Sequence, residues 1–217
     1  MQQGETGLTT ITIGEISFLV SGDHHRTFWG KVNAGTWEPH TFQILRQILT
    51  PGAHFIDVGA WIGPTALYAA SLGASVTAFE CDPTALDHLR ENLDVNPELA
   101  SRITIVPAGL AREDGTFTLH SSSWGNSEST VFPIIERKRE VQLLTKSVEV
   151  EGRSVRKALE PWLNDPDALI KIDVEGFETA ALRGLTRAIT SGKTAIVEEV
   201  NPQMLSASGS SAAEFLG

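Results

Sequence analysis

The sequence is poor in cysteine, in cationic residues and in long apolar runs. One cysteine in 217 residues excludes an internal disulfide and a thiolate cluster for a metal ion. With 17 Lys and Arg against 27 Asp and Glu, the net charge of -10 argues against nucleic acid as a partner, because a phosphate backbone is bound through many cationic side chains. No apolar run approaches the ~20 residues that span a bilayer, and the polar N-terminus lacks a signal-peptide pattern. We therefore expect a cytoplasmic protein without a membrane partner.

The length suffices for one domain that needs no crosslinks. A chain of this size buries roughly 70% of its unfolded surface, and a domain commonly has about 100–200 residues. We predict a single domain over residues 1–217. Within it, a hairpin and a helix occupy 1–50, a ligand-binding core 51–201, a hairpin insertion 115–150 and a short tail 202–217.

Short apolar strands alternate with helices in the predicted core. The runs 54–58, 75–79 and 102–106 have strand character, and helices are expected to begin at Pro64 and Pro83, since proline is favoured at the first helical position. This alternation predicts an α/β fold with a parallel sheet covered by helices. Further strands are assigned to 8–13, 15–20, 116–120, 141–150, 168–174 and 194–200, and further helices to 39–49, 155–163 and 177–190.

The residues between the first core strand and its helix form a glycine loop. Gly59 and Gly63 allow a tight turn and a close approach of the backbone to a ligand. Trp61 stands where the dinucleotide-binding pattern G-x-G-x-x-G requires its second glycine, which disfavours a nicotinamide-dependent dehydrogenase. Asp57, at the same turn, would repel a pyrophosphate and attract an ammonium or sulfonium group.

Glu80 ends the second core strand. An acidic residue in that position of a nucleotide-binding fold accepts the hydroxyl groups of a ribose. Together with Asp57, it describes a cationic nucleoside ligand without phosphates, and S-adenosylmethionine meets that description. The alternative is that the glycines only serve strand–helix packing and that Glu80 is a solvated strand end.

A third pattern lies in residues 170–178, where an apolar strand delivers Asp173 and Glu175 at its carboxyl end. Ligands of open α/β sheets bind at this end of the strands. Methyl transfer to a hydroxyl group is helped by a base, so both carboxylates are candidate general bases. Other roles remain open: Glu175 complements a helix dipole, and Asp173 binds the cofactor or forms a Mg²⁺ site with Glu199 and Asn201, although we expect no metal.

These three patterns resemble those of FkbM-type methyltransferases, a branch of the class I S-adenosylmethionine-dependent enzymes. The resemblance covers about residues 37–201. It implies a Rossmann-like doubly wound sheet, O-methylation of a sugar or natural-product intermediate, and S-adenosylhomocysteine as the product formed from the cofactor. The matching residues are 51–52, 55–60, 62–63, 78–80, 89–92, 169–178 and 182–184.

The resemblance also implies roles for individual positions along the glycine loop and the strand ends. It places Asp57, Gly59, Ala60 and Gly63 against the methionine part of the cofactor, Glu80 against the ribose, Cys81, Asp82, Ala108 and Gly109 around the adenine, and Glu38 within reach of the ligand. Asp173 is a further cofactor contact if it is not the base.

The chain departs from the family pattern in three places. Trp61 replaces an Asn that is usual in the family, and Cys81 replaces a Pro. The third departure is a shortened C-terminus, because the class usually adds a helix and an antiparallel strand pair after the position of Asn201. We expect the N-terminal hairpin or a partner chain to cover the sheet edge instead, since an open edge invites aggregation, and this favours a homodimer.

The methyl acceptor is expected to be a small molecule. Trp124, in the loop 121–130 that is rich in Ser, Asn and Gly, is a candidate substrate lid, and the alternative is that it packs under the hairpin. His24 or His25 is an alternative base. Methyl transfer to a nitrogen or a carboxylate, and a non-catalytic module that binds S-adenosylmethionine, remain as alternative functions.

Overall fold

The computed structural model describes most of the chain up to residue 174. The described residues are 7–22, 24–127, 129–131, 134–137, 140–174, 181, 184–185 and 194–198, and of 134–137, 140–142 and 198 the backbone alone is described. Its strands are β1 (Leu8–Ile13), β2 (Ile16–Ser21), β3 (His54–Val58), β4 (Ser75–Phe79), β5 (Ile103–Val106), β6 (Gly109–Ala111), β7 (Gly115–Ser121), β8 (Ile134–Arg137), β9 (Glu140–Leu143), β10 (Lys146–Ser154), β11 (Ala168–Ile172) and β12 (Ala195–Glu198). Its helices are α1 (Arg26–Asn33), α2 (Pro39–Ile48), α3 (Pro64–Ser71), α4 (Pro83–Asp94), α5 (Pro97–Ala100) and α6 (Val155–Leu159), the last followed by a 3-10 turn at Glu160–Trp162.

A five-stranded parallel sheet organises the fold, in the order β12-β11-β3-β4-β5. Successive residues of β3 point to opposite faces, so that Phe55 joins one apolar cluster and Ile56 the other. The first cluster extends through α2 and α3, and the second through α6. Because both faces of the sheet are covered, the predicted α/β fold with a Rossmann-like doubly wound sheet is confirmed.

The predicted core elements recur with small changes at their ends. The strands predicted at 54–58 and 75–79 are β3 and β4, and the helices α3 and α4 begin at Pro64 and Pro83. Helix α1 is not predicted, because glycine and β-branched residues make it a poor helix on intrinsic propensity. Its formation is explained by the burial of Trp29 and Val32, which are 1% and 3% exposed.

Strands β1 and β2 form the predicted N-terminal hairpin, which packs on α3 and α4. Side chains of α4 and of the residues after it bind the backbone of β2: Asn92 Oδ1 accepts from Ser21 N over 2.8 Å, and Asn96 Oδ1 accepts from Leu19 N over 3.0 Å. Within the described residues, the hairpin pairs with no strand of the parallel sheet. Within these residues the hairpin does not cover the edge of that sheet, because its backbone groups and its apolar face are used on the helices. The alternative expectation, that a partner chain covers the edge, stays a prediction.

The insertion contains an antiparallel strand pair, but the strand predicted at 141–150 is divided into β9 and β10, and β10 continues to Ser154. Strand β7 pairs with β10 over its whole length, β6 joins β10 in parallel, and β8 and β9 form a second, shorter hairpin. The expected tail, 202–217, lies outside the described residues. No helix in the described part of the chain is long and apolar enough to cross a bilayer.

Candidate active site

A cleft opens at the carboxyl ends of β3, β4 and β11. This is the edge at which open α/β sheets bind ligands. The described lining contains most of the predicted cofactor contacts, namely Glu38, Gly59, Ala60, Glu80, Cys81, Asp82, Gly109 and Asp173. It also contains side chains for which no ligand contact is predicted, among them Trp37, Trp61, Phe117, Asn126, Ser127 and Lys171. Four predicted residues, Asp57, Gly63, Ala108 and Trp124, are not part of this lining.

Gly59 brings the ends of three strands together. Its N–H and that of Ala60 donate to the carbonyl oxygen of Phe79, over 3.0 and 2.9 Å, while Asp173 N donates to the carbonyl oxygen of Val58 over 3.0 Å. With a φ of +82°, Gly59 lies so close to β11 that an added Cβ would be 1.8 Å from the carbonyl oxygen of Asp173. Glycine is therefore required here by both conformation and space.

Gly63 and Ala108 support the cleft from behind. Gly63 has a φ of +89°, and an added Cβ would lie 2.5 Å from Leu89 Cδ1, so this glycine allows the start of α3 to pack on α4. Ala108 is fully buried in the turn between β5 and β6. Their predicted contacts with the cofactor remain predictions, and their structural role is packing.

Glu80 occupies the end of β4 and is held by backbone donors. Its Oε2 accepts from Trp61 N over 2.7 Å, and its Oε1 accepts from Cys81 N over 2.8 Å and from Asp82 N over 2.7 Å. Burial raises the pKa of Glu80 to about 7, although these three N–H groups oppose the rise. The carboxylate is thus fixed in position at the point where the sequence predicts a ribose.

Asp57 lies beneath the cleft and is completely buried. Its Oδ2 accepts a hydrogen bond of 2.6 Å from the hydroxyl of Thr65, and its Oδ1 lies 3.7 Å from Lys171 Nζ. Burial raises the pKa of Asp57, and the neighbouring ammonium of Lys171 opposes that rise. Asp57 thus faces a lysine and is not part of the described lining, and its predicted contact with the methionine part of the cofactor stays a prediction.

Lys171 is the main site residue that sequence reasoning missed. It lines the cleft, is 3% exposed, and its Nζ donates to Asp173 Oδ2 over 3.0 Å. Burial alone would lower the pKa of Lys171, but the carboxylates of Asp173, Asp57 and Glu38 outweigh it and raise that pKa. A lysine in the middle of an otherwise apolar strand was the available indication, because such a side chain needs partners inside the protein.

Asp82 and Cys81 form the wall beside Glu80. Asp82 Oδ1 caps α4 by accepting from Thr84 N over 2.8 Å, and its Oδ2 accepts from Gly125 N and Ser129 Oγ over 3.0 and 2.7 Å. Burial raises the pKa of the Cys81 thiol well above its usual value. Both residues line the cleft as predicted, and the thiol is held in its neutral form.

The loop 121–131 closes one side of the cleft. Trp61 Nε1 donates to the carbonyl oxygen of Gly125 over 2.8 Å, so this departure from the family pattern joins the glycine loop to the loop that contains Gly125. The indole also makes an edge contact with Phe28, with ring centroids 4.5 Å apart. Trp124, the predicted lid, is half-buried outside the described lining, and Asn126 and Ser127 of the same loop lie in it.

The two histidines named as alternative bases lie outside the described lining of the cleft. His25 binds His88 over 3.0 Å and is not part of the described lining, and neither is His24. The pKa of His25 is lowered to about 4, first by burial and then by the neighbouring charges of His88 and His24. Among the described residues no group of three or more metal-ligating side chains is present. Glu175, Glu199 and Asn201 lie outside the described residues.

Fold and cleft together define a class: an α/β domain with an acidic cleft at the carboxyl ends of its parallel strands. The sequence pattern of the methyltransferase FkbM domain matches residues 57–216, and the chain therefore belongs to the FkbM methyltransferase family. The resemblance stated from the sequence is confirmed.

Several characterised proteins are similar to this chain. The hexuronic acid methyltransferase AglP of Haloferax volcanii is 32% identical over 144 residues, which cover 65% of this chain and 54% of that protein. A ribosomal protein L11 methyltransferase of Geobacillus kaustophilus is 46% identical over 55 residues, or 25% of this chain and 18% of that protein. The crystal structure of methyltransferase FkbM from Methylobacillus flagellatus matches with a TM-score of 0.45 and 19% identity, over 83% of this chain and 44% of that chain. This chain spans about half the length of the hexuronic acid methyltransferase.

Proposed function

We propose that this protein transfers a methyl group from S-adenosylmethionine to a hydroxyl group of a small molecule, either a sugar or a natural-product intermediate. The observation that carries the proposal is the charge of the cleft. Four carboxylates, those of Glu38, Glu80, Asp82 and Asp173, line it, and Lys171 is the one ammonium in its described lining. Such a site attracts a sulfonium and an amino group and repels phosphates.

The residues present fit the cofactor. Glu80, fixed by three backbone N–H groups, is placed to accept the hydroxyl groups of the ribose. Cys81 and Gly109 border the part of the cleft expected to hold the adenine, and Gly59 and Ala60 offer backbone to the methionine part. When bound, S-adenosylmethionine supplies an electrophilic methyl group.

Asp173 is our candidate for the group that accepts the proton of the acceptor hydroxyl. Its side chain is 31% exposed at the cleft, and its Oδ2 is fixed by Lys171. Lys171 is not a base, because the surrounding carboxylates raise its pKa and keep it charged. A positioned carboxylate that takes the proton contributes about 10²–10⁴-fold to the rate.

The walls of the cleft support a polyhydroxylated acceptor. The indoles of Trp37 and Trp61 offer flat apolar surfaces, and Asn126 and Ser127 offer an amide and a hydroxyl group. Aromatic and polar side chains in one cleft suit a ligand that has both apolar faces and hydroxyl groups. The name of the relative from Haloferax volcanii, a hexuronic acid methyltransferase, supports the same class of acceptor.

The test is a methyl-transfer assay with S-adenosylmethionine and a panel of sugars, uronic acids, amines and polyhydroxylated natural products, read by mass spectrometry. We expect a methyl ether on a hydroxyl group and a loss of about 10²-fold or more in turnover for Asp173→Asn. The exposed Asp87→Asn is the matched control and should turn over like the wild type. Exclusive methylation of amines or carboxylates would contradict the proposal, and so would full activity of Asp173→Asn.

A further inference from the structure

Lys171 occupies a place that packing alone does not explain. It belongs to β11, whose five residues are all buried, and it is 3% exposed. The other members of this strand are apolar, and an apolar residue of similar volume often stabilises such a position at least as well as a buried ion pair. The lysine nevertheless belongs to the described lining of the cleft.

Its first partner, Asp57, is cut off from the cleft. Asp57 is 0% exposed, and one of its oxygens is engaged by Thr65. Within the described residues its Oδ1 accepts no hydrogen bond and has Lys171 Nζ 3.7 Å away as its counter-charge. Asp57 therefore faces the cleft through its partners, of which Lys171 is the charged one and Thr65 the neutral one.

Its second partner, Asp173, lies at the cleft itself. The distance from Lys171 Nζ to Asp173 Oδ2 is 3.0 Å, which is a charge-assisted hydrogen bond. Asp173 directly follows the last residue of β11, in a segment without regular structure. The bond from Lys171 therefore restrains a side chain that lies outside the strand. The carboxylate of Glu38, from the start of α2, adds to the field on the same ammonium.

We propose that Lys171 is a positioning residue for methyl transfer: anchored from behind by Asp57, it holds the carboxylate of Asp173 in the orientation in which it accepts the proton of the acceptor. The proposal rests on the methyltransferase function proposed above. Its distinguishing consequence is that Lys171 affects turnover and its pH dependence, whereas a lysine that bound the carboxylate of the cofactor directly would affect cofactor affinity.

The test compares Lys171→Met with Lys157→Met, which removes a lysine that is exposed and remote from the cleft. For Lys171→Met we expect kcat to fall by about 30-fold or more, while the Kd for S-adenosylhomocysteine stays within about threefold. The pH dependence of kcat should also change, because the buried Asp57 loses the ammonium that opposes the rise of its pKa. Lys171→Arg, which keeps the charge, should restore part of the rate.

Lys171→Met leaves the buried Asp57 uncompensated and so endangers the fold. The double variant Asp57→Asn with Lys171→Met removes both charges, so it leaves no uncompensated buried charge and allows the same measurements. A double-mutant cycle on Lys171 and Asp173, measured by urea unfolding, reports their coupling without any assay of activity.

Three results would overturn the proposal. The first is a folded variant without Lys171 that keeps the kcat and the pH profile of the wild type. The second is a loss that is confined to cofactor affinity, and the third is an absence of coupling in the double-mutant cycle. If the wild type itself transfers no methyl group to any acceptor, the proposed function fails, and the cycle then shows separately whether the ion pair with Asp173 exists.

Discussion

The half-buried carboxylate of Glu80 should make cofactor binding dependent on pH. Burial raises the pKa of Glu80 to about 7 in the free protein, and ribose hydroxyl groups are accepted by the ionised form. Below this pKa, binding must release a proton, so affinity falls as pH falls. We expect the Kd of S-adenosylmethionine to be about tenfold weaker near pH 6 than near pH 8, measured by calorimetry. Glu80→Gln should bind more weakly at both pH values and show no such slope, and an equal slope in this variant would assign the proton to another group.

Alanine substitutions at Gly59 and Gly52, which both have a positive φ, should separate the effect of backbone strain from the effect of a steric conflict. Gly59 and Gly52 have φ of +82° and +91°, but an added Cβ meets the backbone of Asp173 at Gly59 and meets nothing within 4 Å at Gly52. Gly52→Ala should therefore lose about 1–2 kcal/mol of unfolding free energy and retain cofactor affinity. Gly59→Ala should lose more and weaken cofactor binding by about tenfold or more, because a 1 Å displacement at the site is enough for such a loss. Urea unfolding and calorimetry measure both quantities, and indistinguishable variants would refute the close approach at Gly59.

At the level of elements, Asp82 joins helix α4 to the loop 121–131. One oxygen caps the helix, and the other accepts from Gly125 N and Ser129 Oγ. Asp82→Ala should destabilise the protein by about 2–4 kcal/mol, since it removes a cap and leaves buried donors unpaired. Ser129→Ala removes a single donor and should cost about 1 kcal/mol.

Urea unfolding compares the unfolding free energies of Asp82→Ala and Ser129→Ala. Limited proteolysis reports the rate of cleavage within the loop. We expect faster cleavage in Asp82→Ala alone. Equal stabilities would mean that the loop is held by other contacts, of which the bond from Trp61 Nε1 to Gly125 is the first candidate.

At the level of the whole molecule, the N-terminal hairpin depends on asparagines far along the chain. The side chain of Asn96 accepts from Leu19 N over 3.0 Å and donates to the carbonyl oxygen of Leu19 over 2.7 Å. Asn96→Ala should lower the unfolding free energy by about 2–3 kcal/mol. Asn33→Ala, which removes two comparable but exposed bonds to Thr12 and Thr10, should lower it by less than about 1 kcal/mol. Denaturant titration measures the loss of unfolding free energy in both variants. A larger loss for Asn33→Ala would contradict the importance of the contact between Asn96 and the hairpin.

Local patterns explain what could be predicted from the sequence. The strand ends at Gly59 and Glu80 follow from short apolar runs and turn residues, and the start of α4 follows from Pro83. The second oxygen of Asp82 binds Ser129, 47 residues away, and no local pattern indicates that bond.

The ion pairs beneath the cleft escaped prediction for a related reason. Lys171 pairs with Asp57 across the neighbouring strands β11 and β3. In a strand that is buried on both faces, sequence periodicity does not indicate which way a polar side chain points. The position of Asp57 beneath the cleft therefore becomes known only when the register of β3 and β11 is known.

The acidic cleft should select a cationic nucleoside without phosphates. Competitive calorimetry with S-adenosylmethionine, ATP and NAD tests this selectivity most directly. At pH 8 we expect S-adenosylmethionine to bind one site per chain, and ATP and NAD to give no heat and no competition, because four carboxylates line the cleft. Binding of ATP or NAD more tightly than S-adenosylmethionine at this site would contradict the claim.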